Sequence, residues 1–505
     1  MILKIENLSF SYDSKTVFKN LNVTFSDGWT ALIGANGSGK STLLRLITGA
    51  LIPDRGSIYT GGNIVVCPQM AEKPPPCFSD SDILNSREFY ELVDKLAIGL
   101  DWTERWDTLS GGEKKRCLIA DTLVRNPAVL LLDEPANHID KEAAELLITS
   151  LKTFSGTGLV VSHNMAFLNS LAASTLLLVA EGDLPSCTFS FALPPLEALS
   201  VFEKEQEFKR ELRTGLALEA KNLLREKKDA VREAEHRKRS TMSKRNLDPK
   251  DSDTRAKINL ARLSGRDKRG GQKVALLQSR LAQKTTALGK TNALGQRKTG
   301  AGLNGTKSER PVLCFLEEGV IELGSCVIHH PLLEIRNDSR IILSGPNGSG
   351  KTTLLKHIRA AINKNSLNHY YLPQELGEDE LQSALGKFQS LREKEKGAVL
   401  SVFYRLGSEP ASLLTHHDIS PGEARKLCFS LAMLEKVSLI LLDEPTNHMD
   451  AVSAMSLADA LSEYKGSALI ITHDAVFAEK TGQTFWEIKP NGNRNSLEIR
   501  SLIKD

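Results

Sequence analysis

Apolar residues in this chain fall into two kinds of run. Short unbroken blocks such as "WTALIG" from Trp29, "AVLLLDE" from Ala128 and "GLVVSH" from Gly158 have the length and branched content of strands buried on both faces. The first feeds a Gly-rich loop and then "STLLRLITG", whose spaced apolar positions predict a helix, so strand and helix alternate as in α/β layering. The chain also opens on a strand-like "ILKIENLSF". Its middle reads differently. "VFEKEQEFKRELRTGLALEAKNLLREKKDAVREAEHRKR" is built of good helix formers with Phe208, Leu212, Leu216 and Ala220 spaced by four, and Leu277, Leu281 and Leu288 form a second stripe. Two helices packed as a hairpin follow from this. Asp248 and Pro249 mark a stop and restart, Gly265, Gly270 and Gly271 are expected to break the returning helix, and the tip falls between Ser240 and Gly271.

The outer parts repeat one another. "GANGSGKST" at Gly34 returns as "GPNGSGKTT" at Gly345, "LLLDEPANHID" at Leu130 as "ILLDEPTNHMD" at Ile440, and "VVSHN" at Val160 as "IITHD" at Ile470. Lys40 precedes Glu134 by 94 residues and Lys351 precedes Glu444 by 93, and each Glu precedes its His, His163 or His473, by 29. The order predicts a duplicated domain interrupted by an insert of about 110 residues, with boundaries near Pro194 and Pro195 and in "GQRKTGAGLNGTKSER" from Gly295, a flexible connector. The expected organisation is residues 1–193, a helical linker at 194–294, a connector at 295–310 and a second copy at 311–505.

Charge sharpens the picture of the insert. The net charge is only +3, yet residues 201–300 hold 27 Lys and Arg against 13 Asp and Glu, leaving 38 against 49 elsewhere. A centre of +14 therefore lies between parts totalling −11, and it includes "HRKRSTMSKRNLDPK" from His236. No apolar stretch approaches the ~20 residues of a membrane helix, the longest being Thr175 to Ala180, and the seven scattered cysteines suit reduced, buried thiols. A soluble cytoplasmic protein, neither secreted nor membrane-spanning, is expected.

The repeated loops carry the chemistry. In GxxxxGK[ST] the glycines let backbone N–H groups turn around phosphate oxygens, Lys neutralises the β and γ charge, and the hydroxyl holds Mg²⁺. Gly34, Asn36, Gly37, Ser38, Gly39, Lys40, Ser41 and Thr42 form one such loop; Gly345, Asn347, Gly348, Ser349, Gly350, Lys351, Thr352 and Thr353 form the other. Asp133 and Asp443 end strand-forming runs, where a carboxylate reaches Mg²⁺ beside Ser41 and Thr352. Glu134 and Glu444 follow, placed to orient or deprotonate an attacking water, and His163 and His473 reach the γ-phosphate. ATP and Mg²⁺ are the expected ligands and ATP hydrolysis the expected reaction.

"LSGGEKKR" from Leu109 and "ISPGEARK" from Ile419 put Ser110 and Ser420 each 24 residues before the Glu. With these stretches both halves resemble ATP-binding cassette proteins, in which the signature faces the γ-phosphate held by the opposite cassette. The resemblance implies two P-loop domains that sandwich two ATP molecules. One site would join Lys40, Asp133, Glu134 and His163 to Ser420 and Gly422; the other would join Lys351, Asp443, Glu444 and His473 to Ser110, Gly111 and Gly112. It also makes Gln69 and Gln374 metal contacts and Tyr12 the residue stacked on adenine, with no aromatic at the corresponding place in "GVIELGSCVIHH".

Two cassettes, a charged helical linker and "EPTNHMD" resemble the ABC-F family in particular. That likeness implies a monomer that closes on itself around ATP and binds the ribosome, with the basic hairpin meeting ribosomal RNA and tRNA. Only 39 residues separate Gln69 from Leu109, too few for the arm of the family's general translation factors together with the usual helical subdomain, and the long insert resembles the extended linkers of the family's antibiotic-resistance members. The expected role is therefore ribosome protection against antibiotics. A general translation factor and the tandem ATPase of a membrane transporter are the alternatives; a transporter subunit would have a short linker without excess charge.

Overall fold

The computed structural model describes residues 3–13, 15–68, 72–99, 101–137, 139–179, 185–243, 266–290, 307–323, 326–364, 367–408, 410–415, 419–435, 437–491 and 494–501. Both cassettes belong to one compact unit, Met1–Ala198 with Arg297–Asp505, and Leu199–Gln296 forms another.

In the first cassette the unbroken apolar blocks are central strands. The six-stranded sheet runs in the order Ile64–Cys67, Val129–Asp133, Thr157–Val161, Gly28–Gly34, Ser174–Val179, Cys187–Phe191. Every pairing is parallel except the last. Val129 to Leu132 are at most 1% exposed because helices cover both faces, which is why these strands do not alternate. Leu3–Tyr12 does alternate, and it pairs antiparallel with Lys15–Phe25 and Arg55–Thr60 in a separate three-stranded sheet. Leu3, Ile5, Leu8 and Phe10 on its inner face meet Leu43, Leu44, Leu46 and Ile47 of the helix Lys40–Ile47, which is thus clamped between two sheets.

The second cassette repeats the parallel order: His369–Leu372, Leu439–Asp443, Ser467–Ile471, Arg340–Ser344, Thr484–Asn491. It departs at the edge. The hairpin Gly319–Leu323 and Cys326–His330 joins the main sheet, because Cys326–His330 pairs parallel with the terminal strand Arg494–Ser501, making eight strands. A second apolar cluster on the other face ties the helices Glu378–Ser390, Glu393–Arg405, Pro421–Leu434 and Ala451–Ser462 to this sheet.

The insert contains the helices Pro195–Ser243 and Arg266–Lys290, joined by an ion pair between Lys284 and Glu219 at 2.5 Å. Two expectations for the insert are corrected. Phe208 and Leu212 are 66% and 47% exposed, and the sheltered stripe is Leu216, Ala220, Leu223, Lys227 and Ala230. A strict spacing of four drifts about 40° per step around a helix, whereas alternating steps of four and three keep one seam. Val274, Leu277, Leu281, Lys284 and Leu288 obey the same alternation on the returning helix. Gly270 and Gly271 also lie within that helix rather than breaking it, since a glycine costs only about 1 kcal/mol in a helix of this length. Asp248, Pro249 and Gly265 fall outside the described residues. Of the cysteines expected to be buried, Cys187 is exposed on the edge strand of the first sheet.

Candidate functional site

Parallel order places the chemistry. Both phosphate loops leave the carboxyl ends of central strands, Gly28–Gly34 and Arg340–Ser344, where open α/β sheets gather their ligands. Gly37 and Gly39 take φ of 79° and 97°, and Gly348 and Gly350 take 77° and 95°, a conformation only glycine adopts freely. Lys40 Nζ donates to the Gly34 and Ala35 carbonyls at 2.8 and 3.1 Å, and Lys351 Nζ to those of Gly345 and Pro346 at 2.8 Å each. Each lysine thereby curls over its own loop, and burial lowers its pKa.

Asp133 and Asp443 are the last residues of their strands. The Thr352 hydroxyl donates to Asp443 Oδ2 at 2.9 Å, so two expected metal ligands of the second cassette are already adjacent. Glu134 and Glu444 take left-handed φ of 50° and 46°, and their N–H groups donate to Val161 and Ile471 at 2.8 and 3.0 Å. A side chain other than glycine is held there against a strain of about 1 kcal/mol or more, and the strain recurs at the same residue of each repeat. The turn aims each carboxylate at the neighbouring strand's end: Glu134 Oε1 lies 3.2 Å from His163 Nε2, and Glu444 Oε1 lies 3.5 Å from His473 Nε2. These contacts lack hydrogen-bond geometry, and both Oε1 atoms are buried without a hydrogen-bond partner. Burial pushes both carboxyls up to about 8 and both imidazoles down to about 4.

The cassettes complete one another at the loops. Asn36 N–H donates to Asp450 Oδ2 of the second cassette at 3.2 Å, and Asn36 Nδ2 to the His448 carbonyl at 3.3 Å. A Cβ on Gly422 would stand 2.4 Å from that carbonyl and 3.5 Å from Asn36 Nδ2, so the second signature lies against the first phosphate loop. Asp450 contributes favourably to the charge of Lys40, and Asp140 does the same for Lys351, a reciprocal exchange. Asp474 adds a third link, accepting from the Met165 N–H of the first cassette. Among expected residues, Asn347, Gly348, Gly350, Lys351, Thr352, Thr353, Gln374, Asp443, Glu444 and His473 line a cavity of about 890 Å³, and so does His163 of the first cassette, expected at the other site, with Ala136 and Asn137 beside it. Ser110, Gly111 and Gly112 do not line it. Ser110 and Ser420 instead cap their helices, each in a reciprocal box with Glu113 or Glu423, and Pro421 occupies the first helical position, whose N–H has no intrahelical role. Tyr12 is 43% exposed against Phe10, and Gln69 falls outside the described residues.

Sequence reasoning missed Asp140 and Asp450, although "NHID" and "NHMD" repeat them in register. It also missed Arg425, 1% exposed, which donates to the Glu444 carbonyl at 2.9 Å and the Pro373 carbonyl at 3.2 Å and so connects the signature, the Glu444 turn and the strand end before Gln374. Its counterpart Lys115 reaches the Pro68 carbonyl at 3.1 Å. A phosphate-bearing nucleotide with Mg²⁺ fits this donor set: glycine-made cradles, a lysine in each, adjacent hydroxyl and carboxylate ligands, and carboxylate oxygens lacking partners.

The profile of the family described as "ABC transporter" matches residues 18–137 and again 328–447. The ribosome protection protein VmlR of Bacillus subtilis (strain 168) is 29% identical over 98% of this chain and 88% of its own length. ATP-binding cassette sub-family F member 2 of Mus musculus is 24% identical over 95% of this chain and 79% of its own. In solved structures, the archaeal ribosome recycling factor aABCE1, in complex with the stalk protein aP1, superposes with a TM-score of 0.63 at 17% identity, covering 98% of this chain and 90% of that one. Duplicated cassettes that meet at their phosphate loops, with a helical linker between them in the chain and relatives of this kind along nearly the whole length, make the chain similar to the ABC-F family of ATP-binding cassette proteins.

Proposed function

We propose that the chain is an ATP hydrolase that binds the ribosome in its ATP-bound, closed form and acts as a ribosome-protection factor against antibiotics. The observation that carries this reading is that likeness to a ribosome protection protein extends over 98% of the chain, linker included. The +14 charge of residues 201–300 suits a hairpin that docks on RNA phosphates, and among the described residues no helix is long and apolar enough to cross a membrane.

The residues divide the chemical work. Lys40 and Lys351 leave their loop carbonyls to neutralise the β and γ oxygens, and the loop N–H groups cradle them. Mg²⁺ at Ser41, Asp133 and Gln69, or at Thr352, Asp443 and Gln374, would supply charge neutralisation beside those lysines. Glu134 and Glu444 accept a proton from water, while the neutral imidazoles of His163 and His473 lie beside the γ-phosphate. The Asn36 N–H is held by Asp450 across the interface, so a phosphate at the first loop would bear directly on the cassette contact, which supports a closure gated by nucleotide. Ser420 and Gly422 complete the first site, and Ser110, Gly111 and Gly112 complete the second on closure.

The test is the double variant Glu134→Gln/Glu444→Gln. It should keep nucleotide binding, lose turnover and co-sediment with ribosomes when ATP is present, and the unaltered chain should protect a susceptible host from a ribosome-targeting drug. Normal turnover in the double variant would refute the catalytic assignment; ribosome binding without any change in drug susceptibility would refute protection and leave a translation factor.

A further inference from the structure

The second signature helix, Pro421–Leu434, reaches towards both nucleotide sites through two consecutive buried side chains, Arg425 and Lys426. Lys426 serves the first site. Its Nζ donates to Ser453 Oγ at 2.8 Å, that hydroxyl donates to Asp450 Oδ2 at 2.8 Å, and the Ser453 N–H donates to Asp450 Oδ1 at 2.8 Å. Asp450 Oδ2 is the oxygen that holds the Asn36 N–H of the first phosphate loop. Arg425 serves the second site. It donates to the Glu444 carbonyl at 2.9 Å, beside the Asn447 N–H at 3.2 Å, and to the Pro373 carbonyl at 3.2 Å. Glu444 holds a left-handed φ of 46°, so a donor fixed on its carbonyl bears on a strained turn.

The first signature helix, Gly111–Val124, differs at every one of these links. Lys115, 19 residues before Glu134 as Arg425 is before Glu444, reaches the Pro68 carbonyl, and the Glu134 carbonyl accepts from the Asn137 N–H at 3.4 Å. Arg116, in the place of Lys426, donates to the Leu96 and Ala97 carbonyls at 3.1 Å each and stands 4.7 Å from the Trp102 ring. Ala143, in the place of Ser453, has no hydroxyl to offer Asp140.

A phosphate at the first loop and the Asp450 carboxylate are both anions that call on the Asn36 N–H, so a nucleotide bound there loads Asp450. Asp450 is buried 3.7 Å from Lys426 Nζ, and parting a buried pair is costly, so carboxylate and ammonium shift together. Lys426 and Arg425 are neighbours on one helix, and Arg425 holds the turn that aims Glu444. We propose that Ser453 and Arg425 are positioning residues that make hydrolysis at the second site depend on nucleotide at the first, with no equivalent path in the reverse direction. Coupling of rates, unlike coupling of affinities, need not be symmetric. The proposal rests on the hydrolytic reading of both sites.

The experiment uses the full chain with Glu134→Gln, in which the second site turns over, and compares its single-turnover rate of ATP hydrolysis with and without Lys40→Ala, which empties the first loop. The filled chain should be faster by about tenfold, within the roughly 5–150-fold of ordinary coupling between sites. Arg425→Lys should bring the filled rate to within about twofold of the empty one while second-site ATP affinity is kept. Ser453→Ala, which copies the first cassette and leaves the bonds of Arg425 in place, should do the same, an effect that a merely structural role of Arg425 would not produce. The reverse ratio, read in Glu444→Gln with and without Lys351→Ala, should be moved by neither substitution. A second-site rate indifferent to Lys40→Ala, a ratio unmoved by Ser453→Ala, an equal loss with the first loop filled and empty, or a reverse ratio that falls alike overturns the coupling while nucleotide binding stands. ATP bound by neither the Lys40→Ala nor the Lys351→Ala chain overturns the underlying reading along with it.

Discussion

Replacing the buried Glu444 carboxylate of the second cassette should stabilise the nucleotide-free protein, and by an amount that depends on pH. Glu444 is 8% exposed, its Oε1 has no hydrogen-bond partner, and burial raises its pKa from an ordinary 4.5 to about 8. A carboxyl whose folded pKa exceeds its unfolded one is bound more tightly to its proton in the fold. Below about pH 4.5 it carries no penalty, between there and about pH 8 the fold loses stability steadily, and above about pH 8 the loss is constant. At about 1.4 kcal/mol per pH unit the full span corresponds to roughly 5 kcal/mol, and water admitted by the open cavity reduces a measured value to about 2–3 kcal/mol. Glu444→Gln keeps the shape and the oxygen that accepts the His473 N–H but does not titrate. Urea unfolding of the two proteins without nucleotide, from about pH 5 to about pH 8.5, should give nearly equal midpoints at the acid end and a growing advantage for the variant towards the alkaline end. Parallel profiles, or an advantage that shrinks as pH rises, would show that the carboxylate is not held in the desolvated state on which the proposed role of Glu444 depends.

Other perturbations probe the asymmetry of the halves. Arg425→Met removes donors from the Glu444 and Pro373 carbonyls inside the core and should lower stability by about 3–5 kcal/mol; Lys115→Met, which frees the Pro68 carbonyl, should lower it by about 1–3 kcal/mol, as read from thermal midpoints. Gly422→Ala drives a Cβ to 2.4 Å from the His448 carbonyl and should abolish ATP-driven closure in a cross-linking assay, whereas Gly112→Ala meets Ile139 at an ordinary 3.4 Å and should be tolerated. Neutralising Arg237, Lys238, Arg239, Lys244 and Arg245 should flatten the dependence of log ribosome affinity on log salt by about 0.7–0.9 for each RNA phosphate that a side chain no longer neutralises; an unchanged slope would make the linker a mere tether.

Much of this was legible in one dimension because duplication printed it twice. The loops, the Asp and Glu at the ends of buried strands, the histidines 29 residues on and the alternation of elements all follow from local steric and hydrogen-bonding needs that residue type and spacing express directly. Packing across a distance does not. The seam of the hairpin escapes a one-dimensional reading because a spacing of four and a spacing of three and four differ only when a second helix must stay in contact for many turns. Nothing in the sequence near Glu134 or Glu444 announces a left-handed backbone, since the hydrogen bonds to Val161 and Ile471 that impose it come from a neighbouring strand. The approach of Asp450 to Asn36, 414 residues apart, depends on which strands lie side by side. The sequence by itself determined the repeated motifs and the candidate groups they carry; the tertiary structure decided which of them meet, because contact between distant residues is set by the joint burial of whole sheets and helices rather than by any residue's own preference.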